Sequence, residues 1–97
     1  MRVIAKRSLR QFWDVYPDAQ APLEAWHGEA LKAKWTTPQA VKAHFGTASI
    51  LKSGRVVFNI GGNKYRLVVD IDYLRLVCFV KFIGTHREYD AIDANTI

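Results

Sequence analysis

The chain has 97 residues, 14 Lys+Arg against 9 Asp+Glu, a net charge of +5 and a single cysteine. That length suits one small domain, and 49% hydrophobic with 12% aromatic residues is enough for one core and argues against disorder. An internal disulfide is excluded, no thiolate metal site is suggested, and no apolar run is long enough for a signal peptide or a membrane span. The expected setting is a reduced cytoplasm. The basic excess suits a polyanionic partner, whether nucleic acid, a ribosomal surface or an acidic protein, as well as it suits a merely solvated surface.

In chain order, residues 2–5 (RVIA) read as a short strand. Leu9, Phe12, Trp13 and Tyr16 then recur at i, i+3, i+4 and i+7, one helical stripe that Pro17 closes. Asp18 is placed to cap a second helix running to about Trp35, with Leu23, Trp26, Ala30 and Leu31 inward. Thr37 as N-cap and Pro38 at the first helical position open a third helix that lasts to about His44 and ends at Gly46. From Ser53 the period changes to two. Residues 55–60, 64–72 and 75–83 read as strands of an antiparallel meander, with turns at Gly61-Gly62 and Tyr73-Leu74. Two-residue loops would pair Asn59 with Lys64 and Val57 with Arg66, then Arg66 with Lys81 and Lys64 with Ile83. One face then carries Val56, Phe58, Ile60, Tyr65, Leu67, Val69, Ile71, Leu76, Cys78, Val80 and Phe82. It is apolar apart from one hydroxyl, as a helix-covered face should be. Cys78 reads as a buried, inert thiol. The predicted fold class is α+β: one domain over residues 1–97, with a small antiparallel meander, N-terminal helices packed on one face and a short C-terminal helix.

The opposite face would hold Arg55, Asn59, Lys64, Arg66 and Lys81 among Val57, Val68, Val77 and Phe79. Any one of these cations is ordinarily a solvated charge that discourages edge pairing. Their convergence on the stretch GTHREYD, residues 84–90, favours function. There Thr85 and Glu88 have the form of a capping box, which puts His86 and Tyr89 on one side of a short helix. Free N–H groups at the start of that helix would suit a phosphate.

With NIGGNKYRL and GTHREYD both in view, the chain resembles the HigB-type toxins of bacterial toxin–antitoxin pairs, in the RelE-like superfamily. The likeness also takes in the early FW…YP helix and the W…TTP…VK…F middle. The resemblance implies a RelE-like α+β fold and a ribosome-dependent endoribonuclease that cleaves translated mRNA and so inhibits growth. It implies no cofactor, and a HigA-like helix-turn-helix antitoxin as partner. DNA would be reached only through that complex, and no membrane is involved. The family's motifs fall on Gly61, Gly62, Asn63 and Arg66, and on Thr85, His86, Tyr89 and Asp90. Metal-free RNA cleavage needs a base for the ribose 2′-OH, an acid for the 5′-oxygen and cations around the phosphorane. His86 or Tyr89 can move the protons, while Arg66, Lys64 and Lys81 stabilise the added negative charge. Asn59, Asn63, Lys81, Arg55 and Lys52 would contact RNA, and Asp90 would orient His86 or Arg66 or merely cap. Lys6 and Arg7 read as solvated charge. No carboxylate cluster or His pair is spaced for a metal.

Two other readings remain at this level. Residues 28–45 can be read as a helix-turn-helix offering Gln39, Lys42 and His44 to duplex DNA. The basic face can also be read as a docking surface for an acidic helix.

Overall fold

Leu9 and Trp13 are one turn apart on α1 (Lys6–Val15), and both are buried, while Phe12 and Tyr16 pack at the margin of the core. A 3-10 turn at Pro17–Ala19 leads into α2 (Gln20–Lys32), which buries Leu23, Trp26 and Ala30. Leu31 falls outside that stripe and is 49% exposed, contrary to the sequence expectation. Nor does Asp18 cap α2, whose N-terminus has no side-chain cap. The N-terminal ammonium of Met1 donates to the carbonyls of Ala30, Leu31 and Ala33 at 2.9, 2.9 and 2.7 Å. These are groups a helix C-terminus leaves unbonded, and the positive charge complements the helix dipole. The helix stops there, short of Trp35. α3 (Pro38–His44) opens as the sequence indicates, with the Ala40 N–H donating to Thr37 Oγ1 at 3.2 Å.

The computed structural model describes all of residues 1–97. It adds to these helices β1 (Arg2–Ile4), β2 (Ser49–Ile50), β3 (Arg55–Ile60), β4 (Tyr65–Asp72), β5 (Val77–Thr85) and α4 (His86–Asp90). The sheet has five strands in the order β1-β5-β4-β3-β2, with β1 parallel to β5 and every other pairing antiparallel. The α+β architecture is the expected one, extended by an edge strand on each side.

Both hairpin turns are longer than predicted. Residues 61–64 and 73–76 form them, so Ile60 pairs with Tyr65, Asn59 with Arg66 and Asp72 with Val77. Lengthening a loop by two residues preserves the parity of the pleat, so the faces survive although the predicted pairs do not. Gly61 and Gly62 take φ of 63° and 70°, the left-handed region in which glycine has no Cβ to clash.

β5 holds the main departure. Val69 pairs with Val80, but Val68 pairs with Phe82, so Lys81 is an extra, bulged residue. Beyond it the alternation reverses. Phe82, expected among the helix-covered residues, lies on the other face against Val57 and Val68, and Ile83 takes the helix side. Phe82 and Ile83 are both apolar, so the sequence pattern carries no mark of the slip.

On the helix-covered face Phe58 is the centre of an aromatic group, its ring 5.3 Å from Trp26, 6.0 Å from Trp35 and 5.2 Å from Phe45. Cys78 is buried there, and burial pushes its thiol up to about 12, which keeps it protonated and inert. The opposite face is covered too. After α4 the chain folds back, and Ala94 and Ile97 close over Val57 and Val68 beside Leu51, Phe82 and Tyr89. No helix is long and apolar enough to cross a membrane.

Candidate active site

Arg66 lies in the middle strand, opposite Asn59 on β3 and Gly84 on β5. At 8% exposure it is the one buried charged side chain. Its guanidinium donates from Nη1 to the carbonyls of Asn63 (3.1 Å) and Tyr65 (3.2 Å), and from Nη2 to Asn63 Oδ1 (2.5 Å). All three acceptors are neutral, and Arg66 takes part in none of the ion pairs of the fold. A buried cation without a counter-charge is costly to fold, and an incoming anion removes that cost. Gly84 keeps the neighbouring strand bare. A Cβ there would stand 2.5 Å from Phe82 Cζ and 3.2 Å from Glu88 Oε1.

β5 runs directly into α4 through the expected capping box: the Glu88 N–H donates to Thr85 Oγ1 at 3.1 Å, and the Thr85 N–H to Glu88 Oε1 at 2.8 Å. The His86 N–H donates to the Lys64 carbonyl at 3.2 Å. The amides of Thr85, His86 and Glu88 are therefore spent within the protein. The His86 ring, with its side chain 48% exposed, places Nδ1 3.1 Å from Asp90 Oδ2. With the proton on Nδ1, the carboxylate fixes the tautomer and leaves the Nε2 lone pair free for a substrate proton. Asp90 thus lies against His86, not Arg66. Tyr89 is half-buried and leans on the Val57–Val68 cluster.

The turn at residues 61–64 ties these parts together. Asn63 holds Arg66, and the Lys64 carbonyl holds the start of α4. Lys64 was expected in a strand facing Ile83, with its charge beside Arg66. It sits in the turn instead, and its ammonium pairs with Asp18 on the helix side of the sheet. Lys81 does not face Arg66, since the bulge puts Gly84 there; Lys81 lines a groove with α1 residues such as Ser8 and Gln11. Arg55 is committed to Asp70 at 2.5 Å and to the carbonyl of Ile97, so its charge is neutralised within the fold. Lys52 is exposed in the turn before β3, at the end of that strand far from Gly61. The structure therefore gathers Arg66, Asn59, Asn63, His86 and Asp90 at one end of the β3–β4–β5 ladder, with Tyr89 beside them. Arg55, Lys52 and Lys81 stand apart, and Lys64 contributes its main chain.

Asp18 is a residue that sequence reasoning misplaced. It accepts from Lys64 Nζ and from the Tyr65 hydroxyl, bracketing the turn from the helix side. The hydrogen bond from Lys64, then that from Tyr65, lowers the Asp18 carboxyl below its ordinary 3.8, and the same contacts raise Lys64 above 10.5 and Tyr65 above 10.0. A depressed carboxylate stabilises the fold above its unfolded value and loses that contribution as pH falls through the folded one; the raised groups contribute below their unfolded values and lose it as pH rises through the folded ones. Thermal melts should therefore show wild type ahead of Asp18→Asn between about pH 5 and 9, with the gap closing below pH 3 and above pH 11. A pH-independent gap would rule out this charge network as its source.

Of the three side chains that the helix-turn-helix reading offers to DNA, two are engaged within the fold: Lys42 Nζ donates to the Ala48 carbonyl at 2.6 Å, and His44 Nδ1 accepts from Trp35 Nε1 at 3.2 Å. The family model HigB_toxin, described as the RelE-like toxic component of a toxin–antitoxin system, matches residues 19–92. The chain belongs to the HigB toxin family. The match to the HigB family takes in both motifs at the ladder end. The chain is similar to the mRNA interferase toxin HigB of Escherichia coli (strain K12), 29% identical over 96 residues, 97% of this chain and 92% of the relative. The mRNA interferase HigB of Shigella flexneri gives the same figures, 29% over 96 residues, 97% and 92%. The mRNA interferase HigB of Escherichia coli O6:H1 is 26% identical over 94 residues, 95% of this chain and 91% of the relative. Membership of a toxin–antitoxin family implies an antitoxin partner for this HigB-family chain.

Proposed function

We propose that this protein is an endoribonuclease toxin that cuts translated mRNA on the ribosome, without a metal ion, and that a HigA-like helix-turn-helix antitoxin restrains it and alone brings it to DNA. The relatives' names supply the class, mRNA interferase. The observation that carries the reading is the buried guanidinium of Arg66, bonded only to neutral acceptors, at the same ladder end as a His86–Asp90 pair. His86 Nε2 takes the proton from a ribose 2′-OH, and O2′ forms a bond to phosphorus. Arg66 stabilises the added negative charge of the phosphorane, the bond to the 5′-oxygen breaks, and that oxygen takes a proton from the imidazolium or from Tyr89. The products are a 2′,3′-cyclic phosphate and a 5′-hydroxyl. Asn63 holds Arg66 in place, and Asn59 lies beside it. The site's residues supply proton transfer and a cation, and no group of three or more His, Cys, Asp or Glu side chains stands together to hold a metal ion.

Primer extension on mRNA in a reconstituted translation mix tests this. The expected result is discrete cuts within translated codons, absent without ribosomes and leaving 5′-hydroxyl ends. His86→Ala should reduce them by about 10²–10⁴-fold, and Asp90→Asn by less. Uncut mRNA with wild-type protein would overturn the reading, and 5′-phosphate ends would overturn the metal-free chemistry.

A further inference from the structure

The turn that carries the site is loose by itself. Gly61 and Gly62 both take positive φ, a glycine turn that costs much chain entropy to fix. The one main-chain hydrogen bond within residues 61–64 runs from the Lys64 N–H to the Gly61 carbonyl, at 3.4 Å. Yet both halves of the site depend on this stretch. The two Asn63 oxygens and the Tyr65 carbonyl fix the Arg66 guanidinium, and the Lys64 carbonyl fixes the first N–H of α4.

What holds the turn comes from the other side of the sheet. Asp18 accepts from the Lys64 ammonium with one carboxylate oxygen and from the Tyr65 hydroxyl with the other. Successive strand side chains point to opposite faces, so Tyr65 reaches Asp18 while Arg66 reaches the site. Asp18 is itself firmly set, in the 3-10 turn between α1 and α2. Pro17 before it has a fixed φ. Ala19 after it is fully buried and donates to the Tyr16 carbonyl at 2.9 Å. The Tyr65 ring packs edge-on to Phe12 at 5.2 Å, with Tyr16 5.7 Å away, which leaves its hydroxyl little freedom. An exposed ion pair such as Asp18–Lys64 ordinarily adds little to stability. Its worth here is geometric, because one carboxylate grips two adjacent residues whose carbonyls hold the guanidinium and the histidine.

We propose that Asp18 is a positioning residue for this site: acting through Lys64 and Tyr65, it sets the turn that fixes Arg66 relative to His86. The inference rests on the nuclease reading above for its effect on cleavage. Asp18 reaches the site only through the turn, so it governs the rate of the chemical step and not the hold on RNA.

Asp18→Ala removes both acceptors at an exposed position and tests the proposal in two ways. On mRNA-programmed ribosomes its maximal cleavage rate should fall about 10- to 100-fold, with the KM for those ribosomes within about threefold of wild type. In NMR spectra of the free protein, its His86 amide should exchange with solvent about tenfold faster. The Arg66 guanidinium N–H signals, distinct while three acceptors hold them, should merge. Tyr65→Phe, which loses only the hydroxyl, should slow cleavage by a smaller factor and add little to Asp18→Ala, since both act through one carboxylate. Val41→Ala, a cavity at a fully buried position in α3, is the control for stability. It should lower the melting temperature at least as far and leave the rate and both NMR signals as in wild type. Unchanged His86 and Arg66 signals in Asp18→Ala would overturn the proposal. So would a rate loss no larger than that of Val41→Ala, or a raised KM at an unchanged maximal rate. No cutting by wild type would defeat the nuclease reading alone, because the NMR signals judge the hold on the turn without it.

Discussion

Replacing Arg66 by lysine should slow mRNA cleavage by about 100- to 1000-fold, the usual cost of removing a preorganised group that meets developing negative charge. The positive charge is retained, so the loss would come from geometry. The Arg66 guanidinium reaches three acceptors on Asn63 and Tyr65, and so is held in one orientation. An ammonium is a point charge on a flexible stem and cannot span them. Stability should fall modestly, because lysine leaves an equally unbalanced cation at the same place and makes fewer of the three hydrogen bonds. The rate is read as cut mRNA per unit time in a translation mix, beside a urea melt of the same preparation. A lysine variant within threefold of wild type would mean that charge elsewhere on the surface does this work.

Phe58→Ala should cost about 3–5 kcal/mol of folding stability. The ring is 2% exposed and touches Trp26, Trp35 and Phe45, so its removal empties the centre of an aromatic group from which no single neighbour can refill the space. Against a total of about 5–15 kcal/mol for a typical domain, that is a large share. The melting temperature should fall by about 15 °C or more. Because Asn59 follows Phe58 on β3, the site should loosen with the core. A urea midpoint corresponding to a loss below about 1 kcal/mol would show that Trp26 and Trp35 collapse into the gap.

The features the sequence shows openly are those whose causes are local. Thr37 with Pro38, and Thr85 with Glu88, mark helix starts because each cap bonds within three residues of itself. The stripe from Leu9 to Tyr16 marks α1 for the same reason. The two faces of the meander are readable from period-two alternation, but the pairing is not. Glycines at 61 and 62 announce a turn without saying where it ends. Asp18 stands where a cap belongs, yet its partners Lys64 and Tyr65 lie 46 and 47 residues away. Arg55 resembles a free cation until Asp70 and the carbonyl of Ile97 are brought to it. β2 has two residues, too few to show a period. The motifs at Asn63–Arg66 and Thr85–Asp90 point to the ladder end, whereas the bulge at Lys81 that sets Gly84 opposite Arg66 leaves no local mark.

The extra residue at Lys81 has a consequence for how this sequence tolerates change in length. In an unbroken ladder continuing from Val69 and Val80, Arg66 would face Ile83, and Thr85 would lie one step off its present pairing with Tyr65. The extra residue is what brings Gly84 opposite the guanidinium: were the strand drawn straight at its present length, Phe82 would swing toward the helices, Ile83 toward the C-terminal segment, and a branched side chain would fill the gap. Deleting Lys81 itself removes the bulge yet leaves Val68 opposite Phe82 and Arg66 opposite Gly84, so the site should tolerate the loss of that one residue. Deleting a residue between Phe82 and Thr85 would instead set the helix cap one step away from Tyr65, so the strand is forgiving at its irregularity and intolerant beyond it.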